Sequence, residues 1–204
     1  MALEFFLGSP RRVARVAALP GTFNPPTVAH LALARAALAV ADVVVFVLPR
    51  AFPHKPYAGA PFEDRVRMLL AAAAGEPRFA VAASAGGLFV EIARECVQAF
   101  PAPARPAILC GRDAAERIVN WDYGEPGAFA RMLHEFELLV AARGGAYTPP
   151  PGYARGISSL DLPGDLTAVS ATEVRARIAA GEPFEHLLPP GVAPFARRLY
   201  LPAT

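Results

Sequence analysis

Two segments of the chain carry residues whose types and spacing suit phosphate chemistry. The first reads Gly21-Thr22-Phe23-Asn24-Pro25-Pro26-Thr27-Val28-Ala29-His30. Gly21 lets the backbone turn sharply and lets a ligand approach closely. Pro25 and Pro26 stiffen the loop, and Thr27 is placed to cap a helix. His30 then falls in the first helical turn, beside N–H groups that have no partner inside the helix. An imidazole at such a helix start is a good place for a phosphate. The same spacing also describes a capped helix after a stiff turn, with His30 merely packing. The loop has neither the Walker A nor the dinucleotide-fingerprint glycine spacing.

The second segment is Ser170-Ala171-Thr172-Glu173-Val174-Arg175. Ser170 and Glu173 have the spacing of a capping box, which accounts for both without any ligand. Capping does not exclude binding, and Arg175, one turn into the helix, adds a planar cation with several donors. Lys55 is the only lysine beside 19 arginines. A lysine that survives such a bias points to a need for a compact, mobile ammonium. Asp113, after a strand that ends at Gly111, reads by itself as a helix N-cap. Trp121 reads by itself as a core tryptophan. Cys96 and Cys110 form no CxxC pair and read as buried free thiols in a reducing compartment; no zinc pattern or acidic metal cage is present.

These residues need elements to position them. Val13 to Leu19 reads as a first strand and Val28 to Val40 as a helix. Val43 to Leu48 is a continuous β-branched and apolar run, as in a buried parallel strand. Pro49 to Pro61 is a proline-rich loop. Phe62 to Ala74 is helical, with Pro61 near its start and Gly75 at its end. Phe79 to Ala83 is a strand, Leu88 to Phe100 an amphipathic helix, and Ala107 to Cys110 a strand. A short helix starts near Asp113, another covers Ala128 to His134, and Glu137 to Ala142 is a strand. Gly144 to Gly156 is a Pro- and Gly-rich surface loop. Ile157 to Leu162 and Leu166 to Val169 are late strand candidates. Thr172 to Ala180 is helical, and a last helix lies around Val192 to Leu199. Strands alternating with helices predict a parallel sheet covered on both faces, with ligands at the strands' carboxyl ends. The loops after Leu19, Leu48, Cys110 and Val169 are where chemistry is expected.

Composition narrows the class. The chain has 204 residues, 54% hydrophobic and 19% charged, which suits a globular protein with one sizeable core. The net charge is +2 and the pI about 8.7. No run of adjacent basic residues exceeds two, so no nucleic-acid stripe is expected. Residues 1–12 lack the features of a signal peptide, and Arg35 and Asp42 interrupt the apolar stretch from Leu31 to Leu48. No membrane association and a cytoplasmic location are therefore expected. No feature sets an oligomeric state.

The first segment resembles the signature of the nucleotidyltransferase superfamily, roughly G-x-F-(D/N)-P-x-(H/T)-x-G-H. Gly21, Phe23, Asn24, Pro25, Thr27 and His30 match, and Ala29 stands where glycine is usual. The second segment is similar to the superfamily's S-S/T-T-x-I-R signature through Ser170, Thr172 and Arg175. Most of the chain also resembles one branch, the bacterial nicotinate or nicotinamide mononucleotide adenylyltransferases. Pro53-His54-Lys55 is similar to that branch's P-H-K motif, and Arg65 and Met68 to the helix that follows it. Gly111-x-Asp113 with Trp121, the stretch from Leu138 through Arg143 and Gly144, and the tail from Leu187-Leu188-Pro189 to Tyr200 add to the likeness. One region departs: where the branch carries S-Y-T-x-D-T-L, this chain reads Ala85-Gly86-Gly87-Leu88-Phe89-Val90-Glu91. Gly86 and Gly87 could still offer backbone N–H groups to a carboxylate there.

The resemblance implies an α/β, Rossmann-like doubly wound parallel sheet, as a single domain with a small C-terminal helical part at about 170–204. It implies adenylyl transfer from ATP to a pyridine mononucleotide, releasing pyrophosphate, with Mg²⁺ carried in on ATP. His30, Thr27 and Arg175 would be the catalytic groups. Gly21, Thr22, Phe23, His30, Gly111, Asp113, Ser170, Thr172 and Arg175 would bind ATP. Asn24, Lys55, Gly87 and Trp121 would bind the acceptor, and His54 would shape the Lys55 loop. The nucleophile is already an anion near neutral pH, so positioning and charge stabilisation outweigh any need for a strong base. Another phosphorylated acceptor, or nucleotide binding without catalysis, are the alternatives.

Overall fold

The computed structural model describes residues 2–10, 12–52, 57–100, 105–142, 147–162, 166 and 169–201. Strands β1 (Glu4–Leu7), β2 (Val16–Pro20), β3 (Val43–Pro49), β4 (Phe79–Ser84), β5 (Ala107–Gly111), β6 (Glu137–Ala142) and β7 (Ile157–Asp161) form one sheet in the order β1-β4-β3-β2-β5-β6-β7. All neighbours run parallel except β1, which lies antiparallel to β4. The helices are α1 (Val28–Ala37), α2 (Phe62–Ala73), α3 (Phe89–Ala99), α4 (Arg112–Val119), α5 (Ala128–Met132), α6 (Ala171–Ala180) and α7 (Ala193–Tyr200).

The period-2 geometry of the strands divides the core into two layers. Ala17, Leu19, Val44, Phe46 and Leu48 face one layer, with α1, α2, α6 and α7. Val16, Ala18, Val43, Val45 and Val47 face the other, with α3, α4 and α5. Every residue of β3 is buried, because a central parallel strand has helices on both faces. The sheet is therefore doubly wound, as expected. β2 leads through α1 to β3 on one side, whereas its other neighbour, β5, arrives only after α3. The order reverses between β2 and β5, and their carboxyl ends open a crevice there.

One strand goes beyond the sequence expectation, and one expectation needs correction. Glu4–Leu7 had no assignment and is an edge strand, with Glu4 opposite Ala83. Four residues are too few for a periodic signal, and the partner lies far away in sequence. Of the strand expected over Leu166 to Val169, the described residues Leu166 and Val169 belong to no strand: Leu166 is in a 3-10 conformation, Val169 is irregular, and neither joins the sheet. Both instead pack on the core, Val169 buried and Leu166 partly so. Cys96 and Cys110 are buried free thiols, and burial pushes each up to about 12, so neither is poised to react.

Candidate active site

The loop after β2 is held from outside by three side chains. The Thr22 carbonyl accepts from Arg65 of α2 at 3.1 Å. The Asn24 carbonyl accepts from Arg175 of α6 at 2.6 Å. The Asn24 carboxamide is buried, and its Oδ1 accepts from the Ala60 N–H at 3.1 Å and from the Tyr200 hydroxyl of α7 at 2.5 Å. Burial pushes the Tyr200 phenol up, so it stays protonated and donates. Gly59 packs so closely on Asn24 that a Cβ there would sit 2.2 Å from Nδ2. The clamp holds an unusual backbone: Phe23 has φ of 47°, and the Asn24–Pro25 bond is cis. A left-handed phenylalanine costs on the order of 1–2 kcal/mol and persists only when its surroundings fix it. The Phe23 ring is buried against Phe46 and the His30 imidazole.

Arg65 was noted only for its likeness to a family helix. It is buried, its guanidinium lies 4.3 Å from the Tyr57 ring centre, and burial lowers its pKa. Such an arginine could have been suspected because α2 otherwise buries only apolar residues. Tyr200 carried no sequence signal beyond the tail, because its partner stands 176 positions away.

Thr27 is the N-cap of α1, as expected. Its backbone N–H donates to His30 Nδ1 at 3.0 Å, and its hydroxyl lies 2.8 Å from the same nitrogen. A fixed N–H donor at Nδ1 requires a lone pair there. The neutral ring therefore carries its proton on Nε2, as a donor. His30 and Ala29 line a crevice of about 140 Å³ together with Pro20, Gly111, Ala114 and Phe89. Gly111 is the N-cap of α4, and a Cβ on it would meet nothing within 4 Å. The protein leaves open space at that glycine. Asp113 is exposed in the first turn of α4 and is not its N-cap.

Ser170 caps α6 by accepting from the Glu173 N–H at 3.1 Å. The reciprocal half of a capping box is missing, because the Glu173 carboxylate pairs with Arg177 at 2.6 Å. Arg175 also reaches Thr172 Oγ1 at 3.3 Å. The two signature segments, 151 positions apart at the Arg175–Asn24 bond, thus meet directly.

Beside this crevice lies an apolar pocket of about 180 Å³ that shares Pro20, Phe89 and Ala114 with it. Leu88, Ile118, Met132 and Phe136 wall the pocket, and Trp121 and Tyr123 also line it. Trp121 is 42% exposed and is not a core residue. Gly87 lines the same pocket, but the donors expected of the glycine pair are already engaged. The Gly87 and Leu88 N–H groups both donate to Glu91 Oε2 at 2.9 Å, and the Gly86 N–H donates to the buried Glu95 at 3.3 Å. Glu91 stands in the first turn of α3, where a carboxylate satisfies orphan N–H groups. His54, Lys55, Arg143 and Gly144 lie outside the described residues. Among the described residues, no group of three His, Cys, Asp or Glu side chains could hold a metal ion, and no helix is long and apolar enough to cross a membrane.

Comparison with known proteins agrees with this geometry. A family model described as cytidylyltransferase-like matches residues 18–177. A probable nicotinate-nucleotide adenylyltransferase of Bordetella avium is 34% identical over 190 residues, covering 88% of this chain and 93% of that protein. Proteins of the same description from Anaeromyxobacter dehalogenans and Symbiobacterium thermophilum are 36% and 33% identical, covering 91% and 93% of this chain and 96% of each relative. The matched span starts in β2 and ends in α6, so it encloses both signature segments and the residues that line the crevice. The chain is a nucleotidyltransferase that belongs to the cytidylyltransferase-like family and, within it, to the nicotinate-nucleotide adenylyltransferases.

Proposed function

We propose that the protein transfers the adenylyl group of ATP to nicotinate mononucleotide, forming the dinucleotide and pyrophosphate. The observation that carries this reading is the direct bond between the two signature segments, Arg175 to the Asn24 carbonyl, beside a crevice that opens into an apolar pocket. The crevice suits the triphosphate and the adenosine, and the pocket suits a flat heteroaromatic ring.

In this mechanism an oxygen of the acceptor phosphate attacks the α-phosphorus of ATP. A new P–O–P bond forms as the bond to the β-phosphate breaks, and its electron pair leaves with pyrophosphate. His30 donates from Nε2 to a phosphate oxygen, held in that tautomer by the Thr27 N–H. The start of α6, with Ser170, Thr172 and Arg175, takes the β and γ phosphates, and Asp113 takes the adenosine ribose. Gly21, Thr22 and Phe23 form the turn that lets ATP approach, with Asn24 as its internal anchor; Gly111 leaves room for the nucleotide. Lys55 binds the acceptor phosphate, and Gly87 and Trp121 flank the pyridine ring. Mg²⁺ carried on ATP would neutralise phosphate charge; the described residues would contribute donors and cations, and they form no carboxylate cage. The setting is the cytoplasm.

The test is pyrophosphate release with ATP, Mg²⁺ and a panel of phosphorylated acceptors. Release with nicotinate mononucleotide is expected. Release with another acceptor, and with neither pyridine mononucleotide, would overturn the reading.

A further inference from the structure

We infer that Arg117 is the side chain that selects a carboxylate on the acceptor's pyridine ring. This rests on the reading above and names the group that sets the choice between acid and amide. A carboxylate entering the apolar pocket needs donors or a cation there. The loop before α3 has donors but has used them internally: Gly87 and Leu88 serve Glu91, and Gly86 serves Glu95. Tyr123 lines the pocket too, yet its hydroxyl donates to the Ile118 carbonyl at 3.1 Å. The positive end of α3 is offset by the Glu91 carboxylate in its first turn.

What remains is on α4. Among the described residues, Arg117 is the one charged side chain lining the pocket. It stands in the last turn of α4, one turn before Trp121, where the helix dipole favours a cation. Among the described residues its guanidinium has no ion-pair or hydrogen-bond partner. An arginine can grip a carboxylate through two parallel N–H donors, whereas a neutral carboxamide gains much less from it. Arg117 therefore sorts acceptors by ring charge, while the apolar walls hold the ring itself.

The experiment compares wild type, Arg117→Met and Arg117→Lys with nicotinate and nicotinamide mononucleotides at saturating ATP. An open rim weakens charge pairing, so the expected loss is about tenfold. Wild type should favour the nicotinate form. Arg117→Met should raise its KM about tenfold, leave kcat and the KM for ATP within about twofold, and barely change the KM for the nicotinamide form. Arg117→Lys should recover part of the loss. An equal change for both acceptors, or none, overturns the role of Arg117 while leaving adenylyl transfer intact. Wild-type turnover of a different acceptor alone overturns the proposed function, and the Arg117 inference with it.

Discussion

The loops after β2 and β4 end neighbouring parts of one sheet and are held by opposite chemistry. After β2, cations and a phenol grip the loop through its oxygens: Arg65 on Thr22, Arg175 and Tyr200 on Asn24. After β4, carboxylates grip the loop through its N–H groups: Glu91 on Gly87 and Leu88, Glu95 on Gly86. The first arrangement sets two guanidinium charges against the loop that leads into His30, which lines the crevice, and charge of that sign favours anions nearby. The second satisfies the loop internally, so an anion there must find its partner elsewhere. A glycine-containing loop at the end of a strand is thus not a binding site by position alone; what its main chain is already bonded to decides.

If the β2 loop is the phosphate clamp, breaking it at the ligand should cost most. His30→Ala and Arg175→Ala should each lower turnover by about 10²–10³ with the fold retained, as for the loss of a preorganised contact to developing charge. Steady-state kinetics beside circular dichroism checks this, and wild-type turnover by a folded His30→Ala protein would break the comparison on its first side. Tyr200→Phe removes the hydroxyl behind Asn24 without touching ligand. It should lower kcat by about tenfold, in keeping with the cost of a lost buried hydrogen bond, and change acceptor preference little. A selective change for one acceptor would mean that α7 serves specificity, not the clamp.

The β4 loop should answer differently. Glu91→Ala frees two N–H groups at the start of α3 and should cost on the order of 1 kcal/mol of stability, the usual worth of a cap, read as a lowered Tm. Turnover with saturating ATP should stay within a few-fold. A loss as large as that of His30→Ala would show that this loop shares in the chemistry, and the contrast would fail.

Much of this was legible beforehand because it is local. The continuous run Val43 to Leu48 foretold a buried parallel strand, Thr27 a helix cap, and the alternation of elements a doubly wound sheet. β1 escaped because its pairing with β4 spans nearly eighty residues. Leu166 and Val169 misled because apolar residues record burial, and burial does not require a strand. The glycine pair at Gly86 and Gly87 misled for a related reason: glycine announces accessible backbone, not which group reaches it first.

The sequence by itself determined the reaction class. The residue types and spacing of Gly21 to His30 and Ser170 to Arg175 set the local caps, the turn and the cations, and local geometry follows from local residues. Only the tertiary structure decided that Arg175 grips the loop at Asn24 and that Tyr200 stands behind it. Those choices depend on which donors and acceptors meet across more than a hundred residues, and the packing of α2, α6 and α7 on one face of the sheet settles that.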